Sequence, residues 1–357
     1  MREEKKIKKI LVYIPFDFSD VSKGSSVRPF YLTKEIENAF GINSFVISGN
    51  KERRKKLFRE FRIKHAGREE EWVLYMESSN WHLYFFDYYF ILWAVLKIKS
   101  RGIFIRDIYY FFAKEYPAKS LKKIAIYMWM KLDYLIYIIF FKLFVPSKEF
   151  GDAMPLSGNK NKYPLPSAPR LLVNKIKKYK KGSELKVVYV GGISRDTGHD
   201  MLIDSVRYLI SMGHKISLNI VGNFKTELLS IEPGEDIEAH MGLSEPEIGA
   251  IMKESHIAVI PRKKTPYHDI AMPVKLFDYL SFGLPVVATN CAAMANFIDK
   301  NKVGLTCEDT RKGLQAALLE MMKEGSIERY SGNVLNFVRD KDGWLNRVEL
   351  IKKILIK

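Results

Sequence analysis

Cysteine is nearly absent. Cys291 and Cys307 are the only two among 357 residues and form no C-x-x-C pair, so neither a disulfide framework nor a thiolate zinc site is indicated. That usage fits a reducing, cytosolic setting. Long apolar runs are missing as well: Asp87 interrupts the stretch from Trp81 to Leu96, and Lys131, Asp133 and Lys142 interrupt that from Ile124 to Val145. Each uninterrupted piece falls well short of the roughly 18 residues that cross a bilayer, which excludes a transmembrane helix. The N-terminus, MREEKKIKKILVYIPF, has neither the apolar core nor the small-residue cleavage site of a secretory signal. No G-x-G-x-x-G follows the leading strand of either half, which argues against a dehydrogenase. The only D-x-D spacing joins Asp340 to Asp342 near the C-terminus, so no carboxylate pair holding a divalent ion is expected. Zinc-finger spacing and the aromatic signature of an RNA-recognition motif are also missing, which disfavours nucleic acid as a partner. No internal repeat or low-complexity segment is present.

What the chain does contain points to two α/β domains, because its length exceeds what one hydrophobic core usually serves. Strand-like and helix-like segments alternate, the pattern of parallel sheets. In the first half strands are expected at 10–14, 43–48, 72–76, 103–106 and 142–146; in the second at 186–190, 216–221, 256–260, 285–288 and 303–306. The fold class is therefore two doubly wound, Rossmann-like domains facing across a cleft. The first spans residues 1–165, an irregular exposed link 166–184, the second 185–340, and a terminal helix 341–357 packs back on the first domain. Ligands of such sheets bind outside the carboxyl ends of the strands.

Charge is divided unevenly. Residues 1–181 hold 36 Lys and Arg against 18 Asp and Glu, whereas 182–357 hold 22 against 23. A field of that sign suggests an anionic surface or ligand near the first half, with membrane phospholipid ahead of nucleic acid and a solvated Lys-rich face as the plain alternative. The same half is crowded with aromatic and aliphatic side chains. The 124–145 stretch is read as core covering a sheet, while Trp81 to Leu96 suits a core helix and a helix lying on a membrane surface alike.

The densest chemical signal is His268 to Thr289, HDIAMPVKLFDYLSFGLPVVAT. Pro273 suits the first turn of a helix that runs to about Phe282 and stops at Gly283. Amides near residues 272–275, including that of Val274, are then left without intrahelical partners, and the positive end of the helix favours a phosphate. Lys275 adds a full charge there. Asp278, one turn on, can accept hydrogen bonds from the vicinal hydroxyls of a ribose. An ordinary amphipathic helix with a surface lysine and acid is the plain alternative.

This segment resembles the donor-site signature of the group 1 (family 4) glycosyltransferases of the GT-B architecture, in which an acid, seven residues, a second acid and four residues precede Gly-x-Pro-Val-Val. Asp278 stands at the second acid, followed at the right distance by Gly283 to Val287; Ile270 stands at the first, with Asp269 one residue earlier. Pro273, Lys275, Leu276, Asp278 and Tyr279 match the form of the motif with a Pro-x-Lys-Leu-x-Glu-Tyr start. The resemblance extends to Lys23-Gly24-Ser25-Ser26, where the family's glycine-rich loop approaches the donor phosphates, and to Gly191 and Gly192 after the first strand of the second domain. It takes in Gly222 with Asn223 after the next strand, and the loop Met241-Gly242 that flanks the base. Thr197 and Gly198 fall where the family has a lysine and a later glycine; Arg195 is the nearest cation and would pair with Lys275 on the diphosphate. Asp107 ends a first-domain strand where the family presents a group toward the acceptor, and a helix cap is its other reading. Glu77 is a weaker candidate of that kind, and His82 and His268 are read as structural or surface histidines.

The resemblance implies glycosyl transfer, with retention, from a UDP-, GDP- or ADP-sugar to a lipid-linked or glycan acceptor at the cytoplasmic face of a membrane, without a metal or other cofactor. Asp107, Lys275 and Arg195 would be catalytic, while the glycines, Met241, Asp269, Pro273, Val274 and Asp278 would bind the donor. Two other readings stand beside it: an idle sugar-nucleotide-binding subunit of a glycan-assembly complex, and a sugar-nucleotide epimerase on the same fold.

Overall fold

The computed structural model describes residues 8–20, 24–79, 81, 83–193, 197–222, 236–341 and 343–356. The chain divides into two compact units, residues 1–167 with 344–357 and residues 168–343.

The first unit is built on a sheet of β1 (Lys9–Tyr13), β2 (Ser44–Ile47), β3 (Trp72–Glu77), β4 (Arg101–Phe104), β5 (Lys142–Val145) and β6 (Lys162–Pro164), in the order β2-β1-β3-β4-β5-β6. Every pairing is parallel. Strands covered on both faces read as near-continuous apolar runs, and β1 and β3 are buried along nearly their whole length for that reason. The helices are α1 (Gly24–Phe40), α2 (Lys51–His65), α3 (Phe85–Lys97), α4 (Leu121–Phe140) and α5 (Lys148–Asp152). Ser120 starts α4 by accepting from the Lys123 amide at 3.2 Å.

The second unit carries β7 (Leu185–Val190), β8 (Ile216–Val221), β9 (Ile237–His240), β10 (Ile257–Ile260), β11 (Val286–Thr289) and β12 (Gly304–Cys307), again all parallel, in the order β12-β11-β10-β7-β8-β9. Its helices are α6 (His199–Ser211), α7 (Glu245–Glu254), α8 (Pro266–Ile270), α9 (Val274–Ser281), α10 (Ala292–Asn301), α11 (Arg311–Met321) and α12 (Ser326–Asn336). Last in the chain, α13 (Trp344–Leu355) belongs to the first unit: the Leu355 carbonyl accepts from Ser100 Oγ at 2.6 Å, and Arg347 donates to the Pro166 carbonyl at 2.8 Å.

Four details depart from the sequence reading. The segment 168–184 is irregular and largely exposed, as expected of a link, yet it is tied along its length to the second unit. The Arg170 amide donates to Ser281 Oγ at 2.8 Å, the Lys177 amide to Ser331 Oγ at 2.8 Å and the Tyr179 amide to Glu328 at 2.7 Å. Two strands, β6 and β9, were not foreseen. Both lie at sheet edges and are short, and β6 contains Pro164, which an edge tolerates because one side of the strand needs no donor. Pro273 stands outside α9 as its N-cap, with φ −73° and ψ 133°, and its carbonyl accepts from the Leu276 amide at 3.2 Å. Finally, α4 is not wholly core: Met130, Asp133, Tyr134 and Tyr137 face inward, while Leu121, Met128 and Ile139 are exposed.

Candidate functional site

In the second sheet the direction of winding reverses between β7 and β10, which pair directly. A doubly wound sheet opens its ligand crevice at the carboxyl ends of the two strands that flank such a reversal. Chain segments approach one another there so closely that side chains are excluded. Gly191, directly after β7, has φ +136° and donates its amide to the Val221 carbonyl at 2.8 Å. A Cβ on Gly222 would stand 2.3 Å from the Gly191 carbonyl oxygen, and one on Gly198, at φ +71°, would stand 1.6 Å from the Pro261 carbonyl oxygen. Only glycine fits both positions.

Helix α9 is fastened to this corner by Tyr279, whose hydroxyl accepts from the Val190 amide at 2.8 Å and donates to the Val190 carbonyl at 3.3 Å. Lys275, four residues earlier, shares that helix face. Its ammonium consequently lies 4.2 Å from the Tyr189 ring centroid, where a Cβ on Gly191 would come within 2.5 Å of it. Tyr189 in turn donates to the Gly192 carbonyl at 2.8 Å.

Lys275 and Asp278 keep part of their surface open, but the surrounding walls crowd both. Burial, with the charge of Arg262 added and that of Asp278 opposing, pushes the Lys275 ammonium down to about 7. Burial likewise raises the Asp278 carboxyl to about 6, Glu245 adding to the shift and Arg170 and Lys275 opposing it. A lysine held half-deprotonated beside an arginine is a site where an anion relieves two repelling cations, and a diphosphate carries the matching charge. Arg262 follows β10 and its carbonyl accepts from Thr289 Oγ1 at 2.5 Å. Sequence reasoning missed Arg262. The signal available was a cation two residues after the buried strand IAVI, at the carboxyl end where ligands of such sheets bind.

The other expected positions fall into several kinds. Arg195, Lys23, His82 and Asn223 lie outside the described residues. Gly24 opens α1, and neither it nor Gly192 has anything within 4 Å of where a Cβ would be. Gly242 takes φ +68° in the turn after β9, next to the half-exposed Met241. Asp269 accepts from the Ala292 amide at 2.7 Å, so its carboxylate holds the start of α10, with Lys264 at 3.6 Å. Ile270 and His268 are buried, and the His268 ring contacts the Lys263 carbonyl at 2.8 Å, in keeping with a structural histidine.

In the first unit, Asp107 accepts from the Tyr109 amide at 3.1 Å, a local turn contact, and also lines a small cavity with Ser78, Tyr110 and Asp133. Glu77 is fully buried and accepts from Tyr75 at 2.7 Å, Arg28 at 3.2 Å and Arg106 at 3.5 Å. These bonds commit Glu77 to neutralising the buried guanidinium of Arg28 and the partly buried one of Arg106, which replaces its reading as a group turned toward an acceptor. Among the described residues no group of three His, Cys, Asp or Glu is placed to hold a metal ion.

Residues 184–324 match the family described as glycosyl transferases group 1. Among solved structures, the chain is similar to WaaG, a glycosyltransferase involved in lipopolysaccharide biosynthesis, at 13% identity and a TM-score of 0.57, over 97% of this chain and 99% of that one. It is similar to an E. coli trehalose-6-phosphate protein bound with UDP-2-fluoro glucose, at 10% identity and a TM-score of 0.61, over 98% and 99% of the two chains. It also resembles the α,α-trehalose-phosphate synthase (UDP-forming) from Burkholderia xenovorans in complex with glucose-6-phosphate, at 10% identity and a TM-score of 0.59, over 97% and 100%. At such identities the likeness establishes the architecture of the two units. No curated protein matches the chain at the sequence level.

Proposed function

We propose that the chain is a group 1 glycosyltransferase of the GT-B architecture, supported by the family match over residues 184–324 and by the likeness in fold, and that its donor is a nucleoside diphosphate sugar held at the winding reversal of the second unit. The observation that carries this reading is the placement of Lys275 against Gly191 and beside Arg262, two cations in a crowded recess at the carboxyl ends of β7 and β10. Lys275, Arg262 and the opening amides of α9, at Val274 and Lys275, bind the diphosphate, and Asp278 accepts from the ribose hydroxyls. As the glycosidic bond breaks, negative charge grows on the departing diphosphate. Groups already oriented toward it lower the barrier without reorganising. No step requires a metal or another cofactor. We assign retention of configuration by departure and attack on the same face. The acceptor is a lipid-linked or glycan hydroxyl presented at the cytoplasmic membrane face on the side of the basic first unit, with Asp107 orienting it.

A panel of UDP-, GDP- and ADP-sugars tests this reading by thermal protection, because a ligand that binds the native state raises stability by mass action. One nucleotide series should protect the protein, and Lys275→Ala with Asp278→Ala should abolish that protection. Equal protection of the variant would overturn the site.

One observation favours a second reading, an idle nucleotide-sugar-binding subunit. Ile270 is buried where the family pattern places its first acid, and the carboxylate of Asp269 is engaged at the start of α10. Donor binding without slow donor hydrolysis or transfer would select it.

A further inference from the structure

Helices α3 and α4 are amphipathic the wrong way round for a water-facing surface. Each carries a single carboxylate within its neighbourhood, Asp87 between residues 78 and 106 and Asp133 between 119 and 148. Both are turned inward. Asp87 accepts from Arg54 at 2.9 and 3.0 Å, from the Tyr84 amide at 2.9 Å and from the Tyr13 hydroxyl; Asp133 accepts from the Leu83 amide at 3.0 Å and from the Tyr88 hydroxyl. The outward faces are instead apolar. Phe85, Tyr89, Leu92 and Leu96 recur at helical spacing along α3, and Leu121, Ile124, Met128, Leu132, Leu135 and Ile139 do so along the whole of α4. Leu96 is 73% exposed and Met128 67%. Edge-to-face contact between Phe85 and Trp129, with centroids 6.4 Å apart, joins the two stripes into one face. Contiguous exposed apolar surface of this kind marks an interaction site.

We propose that this face is a monotopic docking surface for an anionic phospholipid bilayer, and that the groove between α3 and α4 takes one hydrocarbon chain of an anionic lipid. Charge selects the occupant. Lys119, Lys122, Lys123, Lys131 and Lys142 lie on or beside α4 and Lys97 and Lys99 at the end of α3, with no outward acid to balance them. A second copy of the chain would bring these lysines face to face, whereas anionic headgroups neutralise them. No helix among the described residues is long and apolar enough to cross a membrane, so the face lies on the bilayer. The groove has a volume of about 370 Å³, with walls that include Leu83, Phe85, Ile126 and Trp129 and with the exposed Lys51 and Lys122 also lining it. That size is ordinary for a small-molecule site. Its lining suits a hydrocarbon chain, and its two ammonium groups suit a phosphate headgroup.

The proposal deepens the acceptor reading above. It rests on that reading only for the purpose of the contact, since vesicle binding is measured without turnover and can fail while donor protection stands, or stand while donor protection fails. Co-sedimentation of the full chain with phosphatidylcholine vesicles, with and without phosphatidylglycerol, provides the test. Binding at least tenfold tighter to the anionic vesicles is expected, with a residue that survives high salt. Met128→Glu with Leu132→Glu should lose at least tenfold while keeping the thermal midpoint and the nucleotide protection. Quenching of tryptophan fluorescence by lipids brominated along the acyl chain should fall sharply in Trp129→Phe. Absence of binding to either vesicle, undiminished binding by the glutamate variant, or a dimer dispersed by that variant in place of vesicle binding would each overturn the docking surface; unchanged quenching in Trp129→Phe would overturn the groove.

Discussion

Raising the pH from 7 to 8 should weaken the grip on a sugar nucleotide about fivefold, and Lys275 is the reason. Its ammonium titrates at about 7 in the unliganded protein because burial and the neighbouring Arg262 disfavour the charged form. A bound diphosphate favours that form, so binding takes up a proton whenever the pH exceeds the free value. Affinity is therefore complete below about 7 and is lost as the pH rises through that value, until the pKa of the complex is reached. Between pH 7 and 8 the protonated fraction falls from about one half to about one eleventh, which costs ~1 kcal/mol of binding. Asp278 shapes the other limb. Its carboxyl titrates at about 6, and the ribose contact requires the ionised form, so affinity also falls as the pH drops below that value. The profile is a bell whose limbs belong to a coupled pair. Calorimetric titration with an intact sugar nucleotide, whose diphosphate diester does not ionise in this range, measures it directly. Lys275→Arg keeps its charge at every pH used and should flatten the alkaline limb; Asp278→Asn should flatten the acid limb. An alkaline limb of unchanged slope in Lys275→Arg would refute the assignment.

Three further outcomes follow from the geometry. Tyr279→Phe removes the hydroxyl that pairs with both backbone groups of Val190, and should cost ~1 kcal/mol in urea unfolding together with a loss of donor affinity, since Lys275 rides on the same helix. Gly222→Ala forces a Cβ to within 2.3 Å of the Gly191 carbonyl oxygen and should cost about 2 kcal/mol or more, whereas Gly192→Ala, with open space at that position, should leave the thermal midpoint near the parent value. Glu77→Gln leaves the buried Arg28 and the partly buried Arg106 without their counter-charge and should destabilise by about 3 kcal/mol, visible in calorimetry as a lowered transition.

Much of the framework was legible in the residues. The ten expected strands all form, because a strand covered on both faces must be written as a short apolar run, and KILVY, WVLYME and LKVVYV are such runs. The edge strands β6 and β9 escaped notice because an uncovered edge needs neither length nor apolarity. Lys275 and Asp278 were legible through their helix start, and Gly191 and Gly222 through their positions after strands. Arg262 was not, since a lone cation after a strand has no periodicity and gains meaning from Lys275, which arrives from a separate helix. Glu77 was misread for the same reason: its two arginines come from positions 28 and 106, distant in the chain.

By itself the sequence determined which segments are strands and helices and where the chain turns, because local apolarity, glycine and proline act within a few residues of themselves. Only the tertiary structure decided which side of each helix is covered. The apolar residues of α4 fill every side of its helical period, so the pattern alone suited a core. It is Asp133, drawn inward by the Leu83 amide and the Tyr88 hydroxyl, that turns Leu121, Met128 and Ile139 outward. The same division holds at the proposed donor site, where the charges were written locally but their mutual repulsion, and hence their titration, exists only after β7, β10 and α9 have been brought together.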